Sequence, residues 1–253
     1  MSDFETVIFE KYDGIAKVTL NRPHVLNRYN IKMRDELYEV LSAIRDDSDI
    51  KVVIINGAGE KAFCVGADLT EFGTAPSPII ARRVRWERDV WGLLGGLKQP
   101  VIAALHGYVL GSGVELALFC DIRIASADAV FGMPELALGM IPAAGGSQTL
   151  PRVVGVGGAL HMLLSGDYID SKEALRIGLV NKVVNRGSLL SAAENMANHM
   201  KSHSDKVVRY AKESVKRGMD LPLSQGLDLE RSIASIIREQ AGNEPLTKEV
   251  LLK

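Results

Sequence analysis

The sequence has few cysteines and few aromatic residues, and it has no excess of charge of either sign. Its 253 residues include two cysteines, 30 Lys and Arg, and 31 Asp and Glu, which gives a formal net charge of −1. Two cysteines in apolar contexts provide neither a disulfide framework nor a metal-ligand spacing. The balanced charge disfavours a general nucleic-acid binder or a membrane-surface protein, because both usually carry a basic excess.

Long apolar runs are absent as well. No segment reaches the roughly 18 apolar residues of a transmembrane helix, and the first residues, MSDFETVIFEKYDG, lack the apolar stretch of a signal peptide. We expect Cys64 and Cys120 to be buried thiols. Together these features predict a protein of the reducing cytoplasm, with neither a nucleic acid nor a membrane as its partner.

Several catalytic motifs are also missing. The segment Gly111-Ser112-Gly113 is not a dinucleotide fingerprint, because Leu116 stands where that motif needs Gly or Ala. The sequence has no phosphate-binding P-loop, no His-Glu-x-x-His and no Gly-x-Ser-x-Gly elbow. Its five histidines form no obvious ligand set. A zinc enzyme and a nucleotide-dependent oxidoreductase are therefore disfavoured.

The hydrophobic pattern alternates between strands and helices. Residues 5–20 are typical of a hairpin around Asp13-Gly14. Residues 31–46 are typical of an amphipathic helix. This alternation, with glycine turns between elements, favours an α/β architecture up to about residue 157, beyond which the chain is mostly helical. The remaining elements that the pattern predicts are strands at 51–55, 100–105 and 121–125 and helices at 205–217 and 222–240.

Two glutamates stand inside apolar stretches beside glycines. Glu115 lies in GSGVELALFC and Glu135 lies in VFGMPELALG. Burial penalises the charged form of a carboxylate and raises its pKa, so such a residue has a partner or a chemical task. Two carboxylates that face one cavity can act as a general acid and a general base. The alternatives are an ion pair, a surface side chain or, for Glu135, a helix start after Pro134.

Two corners of the chain combine glycine with a small residue. They are Gly66-Ala67-Asp68 and Gly111-Ser112-Gly113. Each corner can leave main-chain N–H groups pointing outward, as at the start of any helix. Two such groups that converge on one carbonyl oxygen form an oxyanion hole, which a thioester oxygen needs when it becomes an enolate. From the glycines alone, two ordinary tight turns are the alternative interpretation.

Residues 72–91 differ from their surroundings. A loop rich in glycine and proline, FGTAPSP, precedes the basic and aromatic segment RRVRWERDVW. This part of the chain is either a solvated basic face over packed tryptophans or a lid whose aromatic side chains line a substrate pocket.

Several segments, in the same order and with similar spacing, resemble the crotonase superfamily, and within it the enoyl-CoA hydratases. The similarity extends from about residue 5 to the C-terminus. The segments are NRPHVLN (21–27), KAFCVGADL (61–69), AALHGYVLGSGVELALFCDIRIAS (103–126), FGMPELALGMIPAAGGSQTLPRVVG (131–155) and SGDYIDSKEALRIGLVNKVV (165–184).

This resemblance implies an α/β fold of the crotonase type, a spiral of ββα units with C-terminal helices that support trimerisation. We expect the spiral core with its CoA-thioester site in residues 1–195 and the helical region in residues 196–253. A homotrimer, or a hexamer built as a dimer of trimers, is expected. The apolar stripes of the C-terminal helices support assembly, because a single small domain would leave them exposed.

The resemblance also implies roles for individual residues. The N–H groups of Ala67 and Ser112 would form the oxyanion hole, and Glu115 and Glu135 would match the two catalytic glutamates of hydratases. The coenzyme A groove would be formed by residues 22–27 and 64–69 together with residues next to the acids. The expected binding residues are Arg22, His24, Val25, Leu26, Cys64, Gly66, Asp68, Leu69, Tyr108, Gly111 and Pro134.

The implied chemistry is the reversible addition of water to the 2,3-double bond of an enoyl-CoA thioester. Glu115, as carboxylate, would deprotonate the water that attacks the β-carbon, and protonated Glu135 would deliver a proton to the α-carbon. No metal or redox cofactor is required, since coenzyme A is part of the substrate. The alternatives are an enoyl-CoA isomerase, a cyclic dienoyl-CoA hydratase and, in another class, a non-catalytic CoA-binding scaffold.

Two positions depart from the family's pattern. Ser112 replaces the central glycine of a GGG turn, and a positive φ there would cost serine about 1 kcal/mol. Arg28 replaces a residue that is commonly small, and it either reaches a phosphate or is solvated. Retention of both acids favours hydration over isomerisation or dehalogenation.

Overall fold

The first sheet begins with the hairpin that the sequence predicts. In this computed structural model, which describes residues 4–241, β1 (Val7–Tyr12) pairs antiparallel with β2 (Ile15–Leu20). The turn residues have positive φ angles, 46° at Asp13 and 71° at Gly14. Two positive φ angles match the twist of the flanking strands, which is why Asp-Gly favours a two-residue hairpin turn.

The other elements follow in chain order. The strands are β3 (Val52–Gly57), β4 (Ala62–Cys64), β5 (Val101–Leu105), β6 (Tyr108–Leu110), β7 (Ile122–Ser126), β8 (Val130–Gly132), β9 (Ile169–Asp170) and β10 (Lys182–Val184). The helices are α1 (Ile31–Asp46), α2 (Pro78–Glu87), α3 (Val90–Gly96), α4 (Ser112–Phe119), α5 (Gly146–Ser165), α6 (Ser171–Arg176), α7 (Leu189–Lys201), α8 (Asp205–Gly218) and α9 (Leu223–Ala241). Short 3₁₀ helices occur at Pro23–Val25, Leu69–Glu71, Pro134–Leu138 and Arg186–Ser188.

The strands within residues 4–241 form two mixed sheets. The first has the order β1-β2-β3-β5-β7-β10 and is parallel from β2 onward. The second has the order β4-β6-β8-β9, in which only β8 and β9 pair antiparallel. The central strands β3 and β5 are apolar and buried along their whole length, as parallel strands are when both faces are covered. The predicted α/β class is confirmed.

Alternate side chains of the first sheet enter two separate apolar cores. Val53 and Ile55 lie in the larger core, which also holds the buried side chains of α1, α3 and α4. Val52 and Ile54 lie in the smaller core, where Leu189 and its neighbours on α7 cover them. The period of two along a strand sends successive residues to opposite faces. The corners at Gly66 and Gly111 follow β4 and β6, which are neighbouring strands of the second sheet.

Most predicted elements coincide with observed ones. Helix α1 has the predicted bounds, and it begins where the Asn30 side chain accepts a hydrogen bond from Met33 N at 2.9 Å. The predicted apolar strands correspond to β3, β5 and β7, and the predicted C-terminal helices to α8 and α9. Beyond residue 157 the chain is less purely helical than predicted, since it also forms β9 and β10. These strands are too short to leave a clear period-two pattern.

The chain divides into two compact units, Met1–Ser202 and His203–Lys253. The boundary that the sequence predicts, after residue 195, falls inside α7. In the second unit, α8 packs against α9. None of the helices within residues 4–241 has both the length and the apolar composition needed to cross a bilayer.

His106, which follows β5, is a buried histidine. Its side chain is 4% exposed, and its Nε2 has no hydrogen-bond partner among the described residues. Burial lowers the pKa of His106 to about 4, and the charge of Arg186 acts in the same direction while Asp128 opposes it. The folded protein therefore holds His106 neutral well below the pH at which an unfolded histidine takes up its proton.

We expect His106 to make the protein less stable in mild acid. The unfolded chain binds this proton near pH 6.5 and the folded chain near pH 4, so the free energy of unfolding falls as the pH drops through that window. The wild type should lose about 2 kcal/mol between pH 7 and pH 5 through this group. Urea unfolding at both pH values should show a smaller loss for His106→Gln. The exposed His161→Gln is the control, and an equal loss in all three proteins would contradict the assignment.

Candidate active site

Glu115 lies on α4 with its carboxylate fixed by two main-chain groups. The residue is 1% exposed. Its Oε1 accepts hydrogen bonds from the N–H groups of Ala144 and Gly146, both at 2.9 Å. Two hydrogen bonds from rigid main-chain donors to one oxygen fix the direction of the side chain. Its Oε2 accepts no hydrogen bond from the described residues, and this oxygen can therefore hold a water molecule.

Glu135 lies in the 3₁₀ helix Pro134–Leu138 and has a different environment. Its side chain is half-buried, and its Oε2 is buried without a hydrogen-bond partner among residues 4–241. Burial is the largest cause that raises the pKa of this carboxyl group above its ordinary value. A hydrogen bond from the residue's own main chain lowers the pKa in part, and the charge of Glu115 raises it. An unpartnered buried oxygen favours the protonated form, because the ionised form would lack compensation.

Gly111 brings the two acids to one place. Its carbonyl oxygen accepts a hydrogen bond from Glu115 N at 3.0 Å. A Cβ atom at Gly111 would lie 3.0 Å from Glu135 Oε1, and its φ of 51° is in the region that favours glycine. Its N–H donates to Gly132 O at 2.9 Å, which anchors the corner to β8. Glu115 and Glu135 thus both adjoin the Gly111 corner.

The two small-residue corners lie against each other. A Cβ atom on Gly66 would be 3.5 Å from Ser112 N and 3.3 Å from Leu110 O. Among the described residues, no atom accepts a hydrogen bond from the main-chain N–H of Ala67 or of Ser112. Ser112 is the first residue of α4, where an N–H has no partner within the helix. Both donors are therefore available to a ligand.

Ser112 carries no backbone strain. The non-glycine residues with positive φ in the described range are Asp13, Leu26 and Asn27. The positive φ of this corner belongs to Gly111 instead. The serine at the family's central glycine position therefore has a helical backbone, and the penalty considered from the sequence does not arise.

The residues predicted to bind coenzyme A at 22–27 and 64–69 come together. Leu26 O accepts the N–H of Val65 at 3.2 Å, which joins the two stretches. His24 and Leu69 are exposed, Val25 and Leu26 are half-buried, and Gly66 lies at the corner described above. Both chain segments thus form one surface beside the Ala67 corner.

Three of the predicted binding residues have protein partners or are enclosed. Arg22 Nη1 pairs with Asp68 Oδ2 at 2.9 Å, and both side chains are largely buried. The side chain of Cys64 lies in the larger core, where burial raises the pKa of its thiol to about 11. Cys64 is consequently an inert thiol in this structure.

The remaining binding residues are Tyr108 and Pro134, and Pro134 directly precedes Glu135. Tyr108 is exposed on β6. Pro134 lines a surface cavity of about 620 Å³ next to Glu135. The other lining residues of this cavity are Leu136, Ala137, Leu164, Ser165, Gly166, Asp167 and Tyr168.

The segment 72–91 contains two tryptophans with different environments. Trp86 on α2 is exposed, with the Arg82 guanidinium 4.4 Å from its ring centre. Trp91 packs between Tyr29 and Phe119, at centroid distances of 5.3 and 6.0 Å. The expectation of packed tryptophans beneath a basic face is confirmed for Trp91 and wrong for Trp86, because α2 leaves the Trp86 ring in solvent.

Sequence reasoning missed the residues that hold the site in place. Arg123 is buried, and it donates to Leu179 O at 2.7 Å and to Cys120 O at 2.8 Å, at the C-terminal end of α4. An arginine within the apolar IRIAS strand was the available signal for this role. Ala144 and Gly146 act through main-chain N–H groups, for which no side-chain pattern exists. Within residues 4–241, no three His, Cys, Asp or Glu side chains cluster so as to hold a metal ion.

Comparisons with known proteins find similar sequences and similar folds. A family model described as enoyl-CoA hydratase/isomerase matches residues 10–245. A short-chain-enoyl-CoA hydratase of Clostridium acetobutylicum is 41% identical over 236 residues, covering 90% of this chain and 87% of that protein. A crotonyl-CoA hydratase of Syntrophomonas wolfei is 39% identical over 228 residues, with the same coverage. The crystal structure of an enoyl-CoA hydratase from Bacillus anthracis has a TM-score of 0.86 and 37% identity, covering 91% of this chain and 90% of that chain.

The environment of Glu135 predicts its titration. In ¹³C NMR of the labelled carboxyl group, its pKa should lie above the ordinary 4.5. In Glu115→Gln this pKa should fall, because one like charge is removed, yet stay above 4.5, because burial is the larger cause. The exposed Glu10→Gln should leave it unchanged. A wild-type value at or below 4.5 would exclude Glu135 as an acid that is protonated by its surroundings.

Proposed function

Since the chain belongs to the enoyl-CoA hydratase/isomerase family and has the crotonase fold, we propose that it is an enoyl-CoA hydratase. The proposed reaction adds water reversibly across the 2,3-double bond of an enoyl-CoA thioester. One observation carries this proposal: Glu115 and Glu135, in unequal environments, adjoin two main-chain N–H groups that have no described partner. Family membership confirms the resemblance drawn from the sequence. The cytoplasmic location remains a prediction.

The thioester oxygen would lie between the N–H groups of Ala67 and Ser112. As water adds to the β-carbon, negative charge develops on this oxygen, and two fixed donors stabilise it without reorganisation. Ser112 also stands at the N-terminus of α4, where the helix dipole favours negative charge. Loss of one such donor typically costs about 3 kcal/mol of barrier.

The two acids would divide the proton transfers. Glu115, held through Oε1, would use Oε2 to orient a water molecule, take one of its protons and direct the hydroxyl oxygen to the β-carbon. Glu135 would give its proton to the α-carbon as the enolate collapses. The proton that Glu115 gains equals the one that Glu135 loses, and exchange with solvent restores both groups. Unequal surroundings are what allow two carboxyl groups to take opposite roles.

The coenzyme A moiety would lie along the surface formed by residues 22–27 and 64–69. His24 and Leu69 are exposed on this surface, with Val25, Leu26 and Gly66 between them. Tyr108 and Pro134 would contact the substrate closer to the acids. The two relatives described above are named for short-chain and crotonyl substrates, so crotonyl-CoA is the first substrate to test.

Removal of either acid should abolish most hydration. Glu135→Gln and Glu115→Gln should each lower kcat for crotonyl-CoA by at least about 100-fold, since each proton transfer contributes that much. Loss of enoyl absorbance measures the rate, and calorimetry with the product should show binding within a few-fold of the wild type. The exposed Glu39→Gln is the matched control, and full activity in Glu135→Gln would end its assignment as the acid.

The same variants separate the alternatives. An isomerase that moves one proton with Glu135 alone would keep its activity in Glu115→Gln. Turnover confined to alicyclic dienoyl thioesters would indicate a cyclic dienoyl-CoA hydratase. A non-catalytic scaffold would show a thermal shift with CoA thioesters. Mass spectrometry would then detect no gain of 18 daltons, the mass of one water, on enoyl-CoA substrates of any chain length. Each of these results would overturn hydration of simple enoyl-CoA substrates.

We also propose that the protein assembles as a homotrimer or as a dimer of trimers. Val215 and Leu223, in the second unit, are largely exposed apolar side chains. A soluble chain rarely leaves large apolar patches in contact with water. Multi-angle light scattering at micromolar concentration should give three or six times the chain mass of 27.5 kDa. A monomer at that concentration would contradict the assembly.

A further inference from the structure

The direction of the Ala67 N–H is set by a hydrogen bond on the other side of its peptide group. Tyr29 N donates to Gly66 O at 2.9 Å. Gly66 O and Ala67 N–H belong to one peptide group, and the described residues contain no cis peptide bond. In a trans peptide the C=O and N–H point in opposite directions. The bond from Tyr29 therefore turns the Ala67 N–H away from Tyr29 and leaves it free.

The preceding peptide group repeats this arrangement. Arg28 O and Tyr29 N–H belong to one trans peptide, and Arg28 O accepts a hydrogen bond from Arg22 Nη1 at 2.9 Å. A continuous path therefore runs from the guanidinium of Arg22 through the Arg28–Tyr29 peptide to the Gly66–Ala67 peptide. Hydrogen bonds in such a chain polarise one another, so a cation at one end strengthens the donor at the other.

Asp68 holds the Arg22 guanidinium in this position. Its Oδ2 accepts from the same Nη1 at 2.9 Å, and the two side chains are 16% and 9% exposed. Its Oδ1 accepts from the Thr70 hydroxyl at 2.8 Å, and Arg22 is the largest cause that lowers the pKa of Asp68. The main-chain N–H of Asp68 donates to Tyr29 O at 2.8 Å. Asp68 thus anchors the guanidinium at the start of the path and also bonds the carbonyl of Tyr29, whose N–H lies in the middle of the path.

Asn27 fixes the start of the Arg22 side chain. Its Oδ1 accepts from Arg22 N at 2.8 Å, and its Nδ2 donates to Ala58 O and Ala62 O, both at 2.9 Å. The residue is fully buried, and its φ of 56° turns the chain back on itself. This tight turn brings Arg28 O within reach of the Arg22 guanidinium.

We propose that Arg22 is a positioning residue that orients and polarises the Ala67 N–H through two peptide groups, with Asp68 as its anchor. This inference rests on the proposed function, which gives the Ala67 N–H its task. In this role Arg22 and Asp68 support the oxyanion hole. Arg22 Nη1 does not bind the phosphates of coenzyme A, because it donates to Arg28 O and to Asp68 Oδ2. Among the described residues, this path connects a side-chain cation to a proposed oxyanion donor through two peptide groups.

Infrared spectroscopy of a bound unreactive thioester tests the inference without turnover. Butyryl-CoA labelled with ¹³C at its carbonyl should show a band shifted to lower frequency on binding to the wild type, because an oxyanion hole polarises the carbonyl. Arg22→Gln should lose much of this shift, and Arg22→Lys, which keeps the charge, should lose less. Butyl-CoA, a thioether without the carbonyl, should bind all three proteins with affinities within about two-fold of one another.

Kinetics and a matched ion pair complete the test. Arg22→Gln should lower kcat for crotonyl-CoA about 10-fold, a fraction of the effect of losing a whole donor, with little change in KM. Asp68→Asn should also lower kcat. The fold-decrease in kcat of the double variant should be smaller than the product of the two single fold-decreases, because both changes act on one interaction. Asp128→Asn is the control, because it breaks an Arg–Asp pair of similar geometry, Arg186 Nη1 to Asp128 Oδ2 at 3.0 Å. It should change neither the band nor kcat.

The outcomes distinguish the inference from the proposed function. An unchanged carbonyl band in Arg22→Gln, with weaker butyl-CoA binding, would show that Arg22 binds coenzyme A and would overturn the inference. Equal band shifts in Arg22→Gln, Arg22→Lys and the wild type would also overturn it. If Arg22→Gln does not fold, the band in Arg22→Lys and Asp68→Asn decides. A wild type that shows the Arg22-dependent band without hydrating crotonyl-CoA would refute the hydratase proposal alone.

Discussion

Two main-chain N–H groups left without a protein partner are the feature on which the proposed chemistry depends. Ala67 and Ser112 present them where the corners at Gly66 and Gly111 meet. A buried N–H without a partner is costly, so proteins rarely keep one without a ligand to receive it. Each donor is available for a different reason: Ser112 stands at the start of a helix, and Ala67 is turned outward by the bond on Gly66 O.

The same principle distinguishes the two acids. Glu115 accepts two main-chain N–H bonds on one oxygen, from Ala144 and Gly146 at the start of α5, and these bonds fix the direction of its side chain. Glu135 has a buried oxygen with no described partner, and its pKa rises. The two carboxyl groups thus differ in their hydrogen-bond partners, although both adjoin the Gly111 corner. Gly111 and Gly146 permit the close approach, because a Cβ at either would meet a carboxylate oxygen at about 3 Å.

Much of the fold follows from local sequence. The Asp13-Gly14 hairpin, helix 31–46 and the apolar strands occur where turn residues and periodicity predict them. Long motifs give the family and the candidate acids, because these are properties of residue types and spacing. The short strands β9 and β10, and the exposure of Trp86, do not follow from local sequence, since pairing partners and neighbouring elements decide them. Arg22 and Asp68 show what local sequence cannot predict. Their residue types identify them as polar groups of the site, and only their ion pair in the folded chain suggests their role.

The sequence by itself determined the hairpin, the long helices and the apolar strands, the family, and the identity of the two glutamates and the two glycine corners. These features depend on residue types and on backbone preferences within a few positions of each other. The tertiary structure decided which N–H groups of the described residues stay free, which carboxylate oxygens accept hydrogen bonds, and how Arg22 connects to Ala67. Each of these depends on hydrogen bonds between residues distant in sequence, such as the pair at 22 and 68 or Glu115 and Gly146, and local preferences do not specify such contacts.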